Sequence, residues 1–106
     1  MSKQYRQGDV FVQKVAEMPK GGTKVKRDNG RVVLAYGEVT GHAHAIASKA
    51  ATLYALPDTQ DRWLEVEEAV TLRHEEHASI TLEPGLYRVR QQREYVAPAI
   101  NRFVGD

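Results

Sequence analysis

The stretch Ala69-Val70-Thr71-Leu72-Arg73-His74-Glu75-Glu76-His77-Ala78-Ser79-Ile80-Thr81-Leu82-Glu83-Pro84-Gly85-Leu86-Tyr87-Arg88-Val89-Arg90 decides the fold class. Apolar and polar residues alternate through 69–74, again through 79–82, and again after the Pro-Gly pair. Successive side chains of a strand point to opposite faces, so short runs of period two read as half-buried strands. Glu83-Pro84-Gly85 places proline at the first central position of a turn and glycine at the second, which reverses the chain between two such runs. A helix would also bring His74 and His77 together at i, i+3. The β-branched residues on both sides favour strands instead.

The same pattern extends outward. Val10-Phe11-Val12-Gln13-Lys14-Val15, after Gly8-Asp9, reads as a first strand with Val10, Val12 and Phe11 as core candidates. Met18-Pro19-Lys20-Gly21-Gly22 is a loop, and Asp28-Asn29-Gly30 predicts a hairpin turn joining Lys24-Val25-Lys26 to Arg31-Val32-Val33-Leu34-Ala35-Tyr36. Gly37 and Gly41 suggest a bulge or bend just ahead of His42. Thr52-Leu53-Tyr54-Ala55-Leu56 is a strand stopped by Pro57-Asp58, and Trp63, Leu64 and Val66 mark a partly buried strand. In the tail, Pro98 delays a last edge strand until Ile100. Roughly eight short strands at near-regular spacing predict a single all-β domain over 1–106, mainly antiparallel, as a small barrel or sandwich.

Composition excludes several function classes. Cysteine is absent, so disulfides, thiolate metal sites and cysteine nucleophiles are ruled out, and a metal site would have to use nitrogen and oxygen. Fifteen Lys+Arg against fourteen Asp+Glu leave a net charge of +1, so the whole-protein field gives no strong pull toward nucleic acid or acidic membranes. There is no Gly-rich phosphate loop and no Gly-x-Ser-x-Gly. A polar start and the lack of a long apolar span predict a soluble, cytoplasmic protein with no membrane partner.

All four histidines lie in two pairs, Gly41-His42-Ala43-His44 and His74-Glu75-Glu76-His77. On a strand His42 and His44 point the same way. If Glu75-Glu76 is a two-residue hairpin turn, His74 and His77 are cross-strand neighbours. Imidazole nitrogen is the commonest zinc ligand and also suits nickel and iron, so His42, His44, His74 and His77 are the candidate ligands of a divalent ion. Glu75 and Glu76 are candidates for a general base or for orienting the ligands. Zincin-type His-Glu-x-x-His needs one more residue between its histidines, so this string is not that motif.

His-x-His on a strand after a glycine, with a later Pro-Gly turn in an all-β chain of this size, resembles the cupin class of small barrels. In that class the first motif runs Gly, His-x-His, then Glu; Gly37, His42 and His44 match, while Ser48 and Lys49 stand where Glu is expected. The second motif places its histidine after Pro-x-Gly, whereas His74 and His77 precede Pro84-Gly85. The resemblance implies His42 and His44 as ligands, with His77 or His74 as the third. Over its whole length the chain also looks like small uncharacterised bacterial and phage-type proteins, a likeness that brings no function with it.

Three functional readings follow. The first is a divalent-metal protein binding zinc, nickel or iron through the histidine cluster, where three protein ligands would leave a position open for a small-molecule ligand and chemistry, and four would close the site. Whether the chain is an enzyme rests on that metal. The second is a self-associating, homo-oligomeric interaction module whose histidines line a pocket or a subunit contact. The third is RNA binding through the basic stripe Arg88, Arg90 and Arg93, which lacks the paired aromatic signature of RNA-binding sheets.

Overall fold

The computed structural model describes residues 3–36, 42–57 and 59–91. Those residues form ten strands and no helix: β1 (Gln4–Gln7), β2 (Val10–Val15), β3 (Thr23–Lys24), β4 (Val32–Tyr36), β5 (Ala43–Ile46), β6 (Ala51–Ala55), β7 (Arg62–Val66), β8 (Val70–Arg73), β9 (Ile80–Leu82) and β10 (Gly85–Gln91). Among them no helix is long and apolar enough to cross a membrane. The strands make two sheets with antiparallel pairing, a six-stranded sheet in the order β1-β2-β10-β7-β6-β3 and a four-stranded sheet in the order β4-β5-β8-β9.

Alternation explains which face is buried. Val10 and Val12 of β2, Tyr87 and Val89 of β10, Leu64 of β7 and Leu53 of β6 come from one sheet; Val32 of β4, Ile46 of β5, Val70 and Leu72 of β8 and Leu82 of β9 come from the other. Together they form one buried cluster. Burial of each such side chain contributes about 1.5–3 kcal/mol, so this shared core is the main term holding the sheets together. Tyr87 is fully buried, and its hydroxyl is satisfied by donating to the Glu83 carbonyl at 2.6 Å across the Pro84 turn.

The all-β, antiparallel expectation holds, whereas the barrel alternative does not, because the two sheets remain open and separate. The Asn29-Gly30 turn forms with positive φ at both residues, 54° and 78°, and closes through the Asp28–Arg31 backbone pair. Its arms do not continue as a hairpin. β3 pairs with β6 in one sheet and β4 pairs with β5 in the other, so the turn carries the chain between sheets. Arg27 holds this crossover by donating to the carbonyls of Gly30, Ser48 and Ala51. The bend expected at Gly37 and Gly41, the tail strand near Ile100 and the position of Arg93 lie outside the described residues. A bulge does occur nearby, in β4 between Val33 and Ala35, opposite His44.

Candidate metal centre

The site is built where three segments meet at one end of the two sheets: the β1–β2 turn, the start of β5, and the connection 74–79 between β8 and β9. His42 immediately precedes β5 and His44 lies within it, on the same face as the core residue Ile46. His74 and His77 come from the connection. The expected two-residue hairpin at Glu75-Glu76 is absent, because the last β8–β9 pair is Leu72 with Ile80 and the loop is longer. His74 and His77 are therefore not cross-strand partners. Their rings still meet, with centroids 4.7 Å apart.

His74 is the hub of the four imidazoles. Its ring centroid is 5.8 Å from that of His42, in an edge-on arrangement, and 4.2 Å from that of His44. His44 and His77 stack at 6.0 Å. His42, His74 and Glu75 each offer one donor atom such that all three lie within 4.8 Å of one another. The four histidines thus converge as rings, while the tightest donor group contains Glu75 in place of His44 and His77.

Both glutamates of the second pair reach back to the first. Glu75 Oε1 accepts the Ala43 backbone N–H at 2.9 Å. That bond, together with its own backbone N–H and the neighbouring His42 and His74, holds the Glu75 carboxyl below its ordinary range, so it is ionised at neutral pH. Glu76 Oε2 lies 3.2 Å from His42 Nδ1, and the Glu76 N–H donates to His74 Nδ1 at 3.0 Å. A ring nitrogen that accepts leaves the other to carry the proton, so neutral His74 is protonated at Nε2.

Gln7 and Asp9 complete the site, and neither was read from the sequence. Gln7 is one of two buried polar residues among those described, the other being His44. Its Nε2 donates to the carbonyls of Leu72 at 3.1 Å and Ala78 at 2.9 Å, on either side of the His74–His77 loop. Carbonyls only accept, which fixes the amide orientation and leaves Oε1 facing His44 Nδ1 at 2.8 Å. His44 Nδ1 must then be the donor. In the neutral ring the lone pair is on Nε2, and it faces Asp9 Oδ1 at 3.5 Å. Burial first, and then the neighbouring His74, push the His44 pKa down despite the opposing pull of Asp9, which favours the neutral ring. Asp9 Oδ2 is itself positioned by Gln91 Nε2 at 2.9 Å.

The β1–β2 turn brings these two residues in. Gln7 pairs with Val10, leaving Gly8-Asp9 as a two-residue loop whose first position has φ +59°. A Cβ on Gly8 would lie 2.7 Å from His77 Nε2, so this backbone forms the surface on which the His77 ring rests. A two-residue loop beginning with Gly is a recognised hairpin signal, and Gln7-Gly8-Asp9-Val10 carries it. The basic stripe fares differently. Arg88 and Arg90 both pair with Asp61, at 3.4 and 3.2 Å, so their charge is partly answered within the sheet.

No curated protein and no solved structure matches the chain. A family model does match, over residues 6–92, and the chain belongs to that family, described as a domain of unknown function (DUF8820).

Proposed function

We propose that the protein binds one divalent first-row metal ion at the histidine cluster, with His42, His74 and Glu75 as the donors already in range and His44 and His77 packed beside them. The observation that carries this reading is the convergence of all four histidines, and of both intervening glutamates, from segments some thirty residues apart. A nitrogen and oxygen set of this kind suits zinc, nickel or iron(II). His44 Nε2 and Asp9 Oδ1, 3.5 Å apart beside this group, add a further imidazole lone pair and carboxylate to this end of the sheets.

His74 sets a condition on entry. Ligation through Nδ1 would displace the Glu76 N–H, and ligation through Nε2 would put the ring proton on Nδ1, so either would break the Glu76 N–H bond to His74. Three protein donors leave a coordination position where the ion can polarise a substrate oxygen or lower the pKa of a bound water. Glu76, 3.2 Å from His42, orients that ring. Isothermal titration of zinc, nickel and iron(II) into the metal-free protein tests the proposal. His42→Ala and His74→Ala should weaken binding far more than Lys24→Ala or Arg90→Ala, because only the imidazoles supply a coordinate bond. Equal affinities across these variants would refute it.

A further inference from the structure

The outward face of β5 carries Ala43, Ala45 and, just beyond the strand, Ala47, which floor a cleft of about 300 Å³ together with Arg31, Arg73, His74, Glu75 and Ser79. That volume is at the lower end for small-molecule sites. The floor is apolar and flat because its side chains are single methyl groups, and Ala43 and Ala45 are only 3% and 5% exposed although they face away from the core. Val33 pairs with Ala45 on one side and Arg73 pairs with Ala45 on the other. Continuing the β4–β5 register puts Arg31 opposite Ala47. The two arginines thus stand on opposite flanks of β5, with Cα atoms roughly 12 Å apart diagonally, from strand spacings of about 4.8 Å and rises of about 3.4 Å per residue. Both arms are long enough to close on one group lying over the alanines.

Among the described residues, neither guanidinium is held by a hydrogen bond or an ion pair. Arg27, Arg88 and Arg90 are occupied by carbonyls or by Asp61, whereas neither Arg31 nor Arg73 makes a side-chain hydrogen bond or ion pair with a described residue. Asp28, which bridges to Arg31 through the backbone, accepts the Tyr36 hydroxyl at 2.6 Å, and Arg31 lies near enough to act electrostatically on that tyrosine. At the other end of the cleft stand His74 and Glu75, two members of the donor group described above. The cleft therefore has cationic flanks, an apolar floor and a metal-ligating end.

We propose that this cleft is an oxyanion subsite: it takes a small molecule whose carboxylate or phosphate is gripped by Arg31 and Arg73 over the alanine floor, and whose other end points to His74 and Glu75. The anion contact stands on the arginines and the cleft alone, while the role of the far end rests on the metal reading. Planar guanidinium groups match both oxyanions in a two-pronged geometry, and a floor of methyl groups favours an organic acid with a short apolar body.

The test is a nuclear magnetic resonance titration of the isotopically labelled full chain, freed of metal by chelator dialysis, with propionate, its neutral analogue propionamide, and inorganic phosphate at constant ionic strength. Propionate should produce saturable shifts in the guanidino signals of Arg31 and Arg73, leaving those of Arg27 still, and propionamide should not. Arg73→Gln, an exposed substitution, should weaken binding by about tenfold or more, the usual effect of losing a charged hydrogen-bonding partner. Ala45→Leu should fill the floor and weaken it likewise. Saturable binding of phosphate in place of propionate, with the same dependence on Arg73, would support the subsite and assign it to phosphate esters. The absence of saturable shifts with either anion in protein with a dispersed, folded spectrum, or an unchanged affinity in Arg73→Gln, would overturn it. Because the titration is metal-free, a failure of zinc to bind leaves its outcome readable.

Discussion

Replacing Gln7 with Met removes one buried amide that ties both histidine segments together, and its cost can be worked from the three hydrogen bonds it makes. His44 Nδ1–H and the Leu72 carbonyl lose their partner in buried surroundings, whereas Ala78 is exposed and water can replace the lost bond there. Leaving a buried donor or acceptor unsatisfied costs roughly 1–3 kcal/mol, so the two buried losses total about 3 kcal/mol. Met fills a similar volume and returns up to about 1 kcal/mol through burial, giving a net loss of about 2–3 kcal/mol. For a domain of this size that corresponds to a melting point lower by roughly 10–20 °C. Urea unfolding of the metal-free protein measures the loss directly. The same variant frees the tautomer of His44, so nitrogen spectra should show Nε2 losing its purely acceptor character, and because Gln7 also holds the carbonyls on either side of the His74 loop, zinc affinity should fall by about 10–100-fold. A Met variant within about 0.5 kcal/mol of wild type, with the His44 tautomer unchanged, would refute the reasoning.

Two further outcomes follow from the same geometry. Gly8→Ala places a Cβ against His77 Nε2 at a backbone angle that favours glycine, and should cost about 1–3 kcal/mol in thermal unfolding; an unchanged melting point would show that the ring does not rest on that turn. His44 has a folded pKa below its unfolded value of about 6.5, so below that pH the unfolded chain takes up a proton that the folded site resists. Its contribution to stability is fully present above about pH 6.5 and is lost as pH falls toward the folded value, so the urea midpoint should decline as pH drops below about 6.5. In His44→Gln that decline should flatten, and an identical slope in both proteins would exclude His44 as its source.

Much of this architecture was legible because alternation is local. β8, β9 and β10 and the Pro84-Gly85 reversal follow from period two and turn chemistry alone, as does the left-handed Asn29-Gly30 turn. What alternation cannot supply is pairing partners over long range, and so the strands beside that turn entered different sheets rather than one hairpin. The clustering of histidines into two pairs indicated a shared site, and their rings do meet. The form of the second pair was misread because His74 and His77 sit in a loop that bends round Gly8, a contact with a segment nearly seventy residues earlier. Gln7 was hidden for a related reason. A glutamine in a polar opening segment looks solvated until the β1–β2 turn carries it under the Leu72 and Ala78 carbonyls. Glu75 and Glu76 were visible as neighbours of the histidines, but their contacts with Ala43 and His42 exist only once β8 pairs with β5.

The most direct test of metal binding is elemental analysis of the full chain, expressed without a polyhistidine tag and purified without chelators, before and after dialysis against micromolar zinc, nickel or iron(II) near neutral pH. The account predicts about one equivalent of a divalent ion per chain in wild type and a loss of most of it in His42→Ala and His74→Ala variants that remain folded. Substoichiometric metal in wild type under all three ions, or full retention in both variants, would contradict it.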